Sequence, residues 1–323
     1  MKIKFTSTLS VLAVSLIALA APAKADEVTL RAISAFQTGT AFAKPFDEFV
    51  QKVNEAGKGL VKIQVLGGPE AMPPFEVGNA LRGNVIDLAN TTAVFHANLV
   101  PEGVALTMTD LSMAELRQNG GYDLMNQIHE KRARIHWLGR LAEKIKYHVY
   151  LSKPAKSDSF DGLKLRSVPI YQAFFSALGA NPMQIAPGEV FTALERGTID
   201  GYGWPSIGVF DLGWQEQTKT RVDPGFYQVE TGVYFSLAAW NKLNAEQKAV
   251  FEKAILAMED GSSRFEQDAD AERKRQGEAG IETYNLPEAS AAKFLQTAQE
   301  AGWAQVLKVS PQDGAALQKL FTK

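Results

Sequence analysis

Arg166 is the residue of this sequence best placed to hold a ligand. It falls within residues 161–205, which read DGLKLRSVPIYQAFFSALGANPMQIAPGEVFTALERGTIDGYGWP. Leu163 and Leu165 alternate with Lys164 and Arg166, the period-two pattern of a strand with one buried face, and Pro169 ends it ahead of a helical run over 171–178. Arg166 is therefore expected at a strand's carboxyl end. In open α/β sheets that edge is the crevice where ligands bind, and a planar guanidinium there can grip a carboxylate through two parallel hydrogen bonds. A solvated or structural arginine fits the same spacing.

Other chemistries find less support. His96, His129, His136 and His148 show no H-E-x-x-H or paired spacing, so they read as surface or packing residues rather than zinc ligands. Gly201-Tyr202-Gly203-Trp204-Pro205-Ser206 lacks the third glycine of a phosphate loop, and Ser206 sits in W-P-S-I-G rather than G-x-S-x-G. The chain has no cysteine, which excludes disulfides, thiolate metal sites and thiol catalysis. No catalytic residue, cofactor or metal site is singled out. An enzyme acting on small acids stays as the alternative, because triads assemble from distant positions.

The elements that must position Arg166 can be read along the chain. Residues 27–34 form a strand, 35–40 a loop, 41–55 a helix, 61–66 a strand, 67–74 a Gly/Pro-rich loop, 76–82 a helix and 85–89 a strand. This is a βαβαβ unit with a parallel sheet. Phe36 and Gln37 in the first loop, and Thr91 and Thr92 after the third strand, are expected at the mouth of a cleft, although small polar residues there are also ordinary turn formers. Residues 112–131 read as a helix, 135–141 and 146–151 as strands, 152–161 as a polar crossover and hinge, and 232–239 as a return to the first lobe. Asn244 with Gln247 makes a capping box for a helix that reaches about 277, the alternative being a break at Gly261-Ser262-Ser263. A strand at 281–285 and helices at 289–301 and 311–321 close the chain, and Phe174 and Phe175 pack a helix onto its sheet.

Two segments of equal length, EVGNALRGNVID at 76–87 and EVFTALERGTID at 189–200, agree at six of twelve positions. They suggest two related α/β lobes, each presenting a helix-to-strand corner to a shared cleft. The expected division is 26–148 plus about 236–277 for one lobe and 149–235 plus about 278–323 for the other.

Residues 1–25 read as a secretory signal, with Lys2 and Lys4 ahead of an apolar stretch over 9–21 and an Ala23-Lys24-Ala25 site cleaved after Ala25. The apolar stretch is too short to span a bilayer. Removing the signal takes away three lysines and no acid, leaving 31 basic against 36 acidic residues, a net charge of −5. Such a surface does not attract nucleic acid. A freely soluble periplasmic protein, not itself membrane-embedded, is expected.

K-L-R-x-x-P, N-P, E-V-[FY]-x-A-L, I-D-G and a closing proline, in this order over 164–205, resemble the solute-binding proteins of tripartite ATP-independent periplasmic (TRAP) transporters, the DctP family. The resemblance implies a two-lobed α/β periplasmic-binding-protein fold, type II-like, with a long helix spanning both lobes. It also implies a receptor, not an enzyme, that delivers a small organic acid to small and large TRAP membrane subunits.

Carried onto this chain, the resemblance gives Arg166 the ligand carboxylate. Trp204 stands where many sugar-acid relatives have asparagine and some keto-acid relatives tryptophan, and its indole suits an aliphatic or planar ligand body. Tyr147 aligns with a second arginine of sialic-acid relatives, while Lys146 and His148 alternate to the opposite face. Gly203 replaces the acidic residue with which some keto-acid relatives hold a metal, so none is expected. Glu230 falls near another ligand-contacting position, with a solvated loop glutamate as the alternative. The implied ligand is a small hydroxy or keto monocarboxylate; a C4-dicarboxylate would need a second cation such as Arg31 or Lys44.

Overall fold

The structure is a computed structural model that describes residue 1 and residues 27–322, so the expected signal and its cleavage point lie outside the described residues. The strands are β1 (Val28–Ser34), β2 (Val61–Val65), β3 (Leu88–Thr91), β4 (Ile135–Ala142), β5 (Lys146–Leu151), β6 (Lys164–Ser167), β7 (Asn181–Gln184), β8 (Gly201–Pro205), β9 (Thr220–Gln228), β10 (Thr231–Ser236) and β11 (Glu282–Asn285). They form two sheets, ordered β2-β1-β3-β10-β4 and β11-β9-β5-β8-β6-β7. Each sheet is the floor of one lobe.

The first lobe begins with the expected βαβαβ unit. β1 pairs in parallel with β2 and with β3, and the helix Lys44–Ala56 between β1 and β2 buries Phe46, Phe49 and Val53 on one face. Those three residues recur at helical spacing, which lays the helix against the sheet. The 112–131 run is two helices, Met113–Asn119 and Gly121–Ala133. Gly120 at φ 85° turns the chain between them, in the left-handed region that glycine reaches without a Cβ penalty.

The second lobe repeats the plan. Asp87 accepts the backbone N–H of Arg31 at 2.8 Å, and Asp200 accepts that of Lys164 at 2.9 Å. Each of these aspartates also donates its own N–H to the same partner's carbonyl, at 2.9 and 2.7 Å. The last residue of each copy of the repeated twelve-residue segment thus locks a parallel strand pair, β1–β3 in one lobe and β6–β8 in the other. In this correspondence Thr91 and Trp204 occupy matching positions, each three residues after its partner in the Leu88 and Gly201 pairing.

The passages between lobes differ from expectation. β5 pairs with β8 and β9, so the chain leaves the first sheet at 143–145, ahead of β5, and not over 152–161. β10 pairs with β3 and β4, which places the return at Val229 and Glu230 rather than at 235–236. Both connections are short and carry no glycine or proline, whereas the polar 152–161 stretch looks like a linker and is a surface loop of the second lobe.

A third passage is helical. The Asn244–Gln247 capping box is present, with both reciprocal bonds at 2.9 Å. From there the chain is helical over Ala245–Asp260, tightens into one 3-10 turn at Gly261–Ser263 and resumes over Arg264–Glu278. The first segment buries Phe251, Ile255 and Met258 against the first lobe. The second reaches the other lobe through Gln276, which donates to the Ser206 carbonyl at 3.1 Å and accepts from Arg221 at 3.2 Å. The long helix therefore spans both lobes.

Candidate functional site

Between the lobes lies a small cavity, lined from the first lobe by Phe36, Phe42, Thr92, Val94 and Phe95 and from the second by Tyr147, Arg166, Val168, Tyr171, Trp204 and Pro205. Val229 and Glu230, on the second passage between lobes, and Thr231 at the start of β10 complete the wall. The lining is largely aromatic, with few polar groups, as small-molecule sites usually are.

Arg166 is the penultimate residue of β6 and is 1% exposed. Its Nε donates to the Ile185 carbonyl at 2.9 Å, and its Nη1 to the Tyr171 hydroxyl at 3.0 Å and the Gly203 carbonyl at 3.2 Å. Nη2 is buried without a partner. No ion pair ties Arg166 to an acidic group among the described residues. Of five N–H groups, three are committed and the two on Nη2 are free. The two-nitrogen fork expected from sequence is thereby corrected to an end-on amino group, because backbone carbonyls and Tyr171 occupy the rest.

Two more residues of the wall carry a buried polar group without a partner: Trp204, whose indole N–H lies on the side of Gly208, and Thr231 with its hydroxyl. Trp204 reaches across the cleft, its ring edge-on to Phe42 at 6.3 Å and within 5.4 Å of the Arg166 guanidinium. Tyr147 packs against Tyr171 and Phe226; burial holds its hydroxyl pKa well above the ordinary value, with Tyr171 and Glu230 acting in the same sense and Arg166 opposing. Lys146 and His148 turn away, to Asp110 at 2.6 Å and Asp223 at 2.9 Å.

Glu230 is not a solvated loop residue. It is fully buried, and its Oε2 accepts from the Thr92 hydroxyl at 3.0 Å and the Ala93 N–H at 2.9 Å. Its Oε1 accepts from the Tyr234 hydroxyl at 2.8 Å. Burial raises its pKa, opposed by these hydrogen bonds and by Arg140.

The remaining expected residues divide. Phe36 and Thr92 line the cavity, while Gln37 lines a neighbouring recess that shares Phe36, Phe42 and Trp204 with it. Thr91 is buried in β3 and does not face the cavity. Asn90 beside it holds the Phe42 carbonyl at 2.9 Å, fixing the loop that carries Phe42. Sequence reasoning missed Tyr171, which anchors Arg166, and the apolar wall of Phe42, Phe95, Val168 and Val229. Only the Arg166–Tyr171 spacing of five across a proline hinted at the first.

Neither suggested second cation is at the site: Arg31 is paired with Asp87 at 3.0 Å, and Lys44 lines a separate groove. All four histidines are buried, so the surface alternative does not hold for any of them. No cluster of metal-ligating side chains occurs among the described residues. Gly203 leaves no room for an acid, since a Cβ there would stand 2.7 Å from the Tyr171 ring.

Two α/β lobes, joined by two short passages and one shared helix, around a buried cavity with unmatched donors define a two-lobed solute-binding protein. The family model described as Bacterial extracellular solute-binding protein, family 7 (DctP) matches residues 35–308. The chain belongs to this family, and its TRAP resemblance is confirmed.

A monocarboxylate 2-oxoacid-binding periplasmic protein of Nostoc sp. is 26% identical over 219 residues, 64% of this chain and 59% of the relative. The match thus spans little more than half of that protein. A TRAP periplasmic solute-binding protein from Desulfovibrio salexigens, solved with bound orotic acid, superposes with a TM-score of 0.80 at 18% identity, covering 91% of this chain and 97% of that one. One from Roseobacter denitrificans, solved with bound L-galactonate, gives 0.78 at 19%, covering 92% and 99%. At these identities the solved structures establish the fold. The family and these neighbours are solute-binding proteins, not enzymes, and no helix among the described residues is long and apolar enough to cross a membrane.

Proposed function

We propose that this protein is a periplasmic receptor that closes over a small organic monocarboxylate, a hydroxy or keto acid with an aliphatic or planar body, and delivers it to the membrane subunits of a TRAP transporter. The observation that carries the reading is the unpartnered Nη2 of Arg166, on a residue of the cavity wall whose other N–H groups are all committed. A buried donor without an acceptor costs on the order of 1–3 kcal/mol, which a bound carboxylate would restore. A charge-assisted contact to Arg166 would itself contribute roughly 1.5–3 kcal/mol.

Among the described residues Arg166 is the one cation lining the cavity, which favours a single carboxylate over a dicarboxylate. Trp204, Phe42 and Phe95 offer flat apolar faces to the rest of the ligand. The names of the relatives agree in kind: 2-oxoacids, orotic acid and galactonate are all carboxylates. Groups from both lobes meet the cavity, so a ligand stabilises the closed arrangement, and closure is what membrane subunits would read.

The test is calorimetry with branched and unbranched hydroxy and keto monoacids against succinate, alongside native mass spectrometry of any co-purifying molecule. Preferential binding of a monoacid supports the reading. Tighter binding of succinate, or turnover of the bound acid on long incubation, would overturn it.

A further inference from the structure

The recess beside the cavity is built by the internal repeat. Glu76 and Glu189 open the two repeated segments, and two residues ahead of each stands a proline, Pro74 in the first lobe and Pro187 in the second. Each proline starts a 3-10 turn, Pro74–Glu76 and Pro187–Glu189, and both line the recess. Its other walls lie at or beyond the carboxyl ends of β1, β2 and β8: Phe36 and Phe42, Pro69, and Trp204 with Leu212. Carboxyl ends of strands are the edge at which α/β sheets of this kind hold ligands.

The recess is apolar. Among the described residues that line it none is a lysine, arginine or histidine, and the one acid, Asp211, already accepts the Ala41 N–H at 2.6 Å. Pro69, Pro73, Pro74 and Pro187 have no N–H to donate. The Thr40 hydroxyl is spent on the Gln37 carbonyl at 2.6 Å. A hydroxylated chain laid here would leave oxygens without donors, whereas an alkyl or aryl chain forfeits no hydrogen bond.

The two spaces meet beside Arg166. Phe36, Phe42 and Trp204 belong to both walls. Ile185, whose carbonyl holds Arg166 Nε at 2.9 Å, is followed directly by Ala186, Pro187 and Gly188 of the recess. The cavity is small, and the recess is the roomier of the two. We infer that the recess receives the apolar tail of the ligand whose carboxylate Arg166 holds, so that the receptor selects for chain length beyond the carboxylate. The inference rests on the carboxylate reading of the site and narrows it to monoacids with an alkyl or aryl tail. Both lobes line the recess, so a tail seated in it adds to the preference for the closed arrangement.

The experiment is titration calorimetry with straight-chain 2-oxo acids, pyruvate, 2-oxobutyrate, 2-oxohexanoate and 2-oxooctanoate, on wild type, Leu212→Asp, Gly188→Leu and Arg166→Lys. Wild-type affinity is expected to rise roughly threefold per added methylene, the factor that burying one such group supplies. Leu212→Asp sets a charge in the recess, and Gly188→Leu adds a side chain to its wall at a position where a Cβ meets nothing within 4 Å. Both residues line the recess and not the cavity, so each variant should flatten the dependence on chain length.

A wild-type affinity that stays flat or falls with chain length would overturn the inference, and this arm needs no variant. A rise that persists unchanged in whichever of Leu212→Asp and Gly188→Leu folds would also overturn it, by placing the tail elsewhere. Where the series is flat and Arg166→Lys weakens every member, the carboxylate reading stands and only the role of the recess falls. Where no member binds wild type, both fall together.

Discussion

The Tyr171 hydroxyl stands between Arg166 and Gly203, accepting from the guanidinium at 3.0 Å and donating to the carbonyl at 2.9 Å. With the direct Arg166–Gly203 bond at 3.2 Å, it closes a triangle that ties the end of β6 to the middle of β8. The guanidinium is held by its Nε and Nη1 before any ligand arrives, so little side-chain entropy remains to be lost on binding.

Arg166→Lys tests that arrangement. A lysine keeps one charge but cannot reach Ile185, Tyr171 and Gly203 at once while offering an amino group to the cavity. Affinity for the best ligand should drop at least about tenfold by calorimetry. Unchanged affinity would remove Arg166 from the site.

Gly203→Ala acts on the same triangle from behind. The new Cβ would stand 2.7 Å from Tyr171 Cε2 and 3.0 Å from Phe175 Cζ, and both rings are fully buried. Neither can retreat freely, so overpacking should destabilise the protein by about 1–3 kcal/mol. Displacement of Tyr171 should also weaken ligand binding several-fold. A variant with normal melting temperature and affinity would show that the site tolerates movement of Tyr171.

How far the sequence carried this site depended on the range of the interactions involved. Arg166 at a strand end, the capping box at Asn244 and the repeated segments ending in Asp87 and Asp200 are local patterns, and local patterns survive in a one-dimensional reading. The shift of the lobe passages to 143–145 and to Val229–Glu230 depends on which strands pair, a non-local choice that composition does not mark. Glu230 looked like a solvated loop residue because its partners lie far away, at 92 and 93, or are hydroxyls on an apolar strand, as at Tyr234. The His96–His129 contact joins residues 33 apart in the sequence, with no spacing signal to announce it.

Closure should depend on Asp211. Its carboxylate accepts the Ala41 N–H at 2.6 Å, a bond from the second lobe to the first beside the Phe42–Trp204 contact. Asp211→Ala removes the acceptor without touching the cavity wall. As the contact is exposed, the expected effect is a few-fold weakening, seen as faster ligand dissociation in stopped-flow fluorescence with little change in association. An unaltered dissociation rate would mean this bond does not hold the lobes together.

Acid should unfold the protein earlier than its carboxylates alone require. His96 and His129 meet Nε2 to Nε2 at 3.4 Å, both buried, and His129 Nδ1 lies 2.9 Å from the Met125 carbonyl. That places the His129 proton on Nδ1, leaves its Nε2 to accept from His96, and gives His96 Nδ1 no partner. Protonation of either ring would bury an unpaired charge. Burial accordingly lowers the His129 pKa from 6.5 to about 4, and burial with His129 beside it drives His96 well below its ordinary value. A base whose folded pKa is depressed contributes stability that is complete above its unfolded pKa, near 6.5, and is lost as pH falls toward the folded value. His136, lowered mainly by burial, acts in the same sense, while Glu230 and Glu259, raised by burial, oppose it nearer the carboxylate range. Each histidine adds up to about 1.4 kcal/mol per pH unit in this window. Unfolding free energy by urea titration should be flat above about pH 7 and decline between 6.5 and 5, with the slope reduced by roughly one proton in His129→Gln. A slope identical in wild type and variant would show that His129 takes up its proton in the folded state.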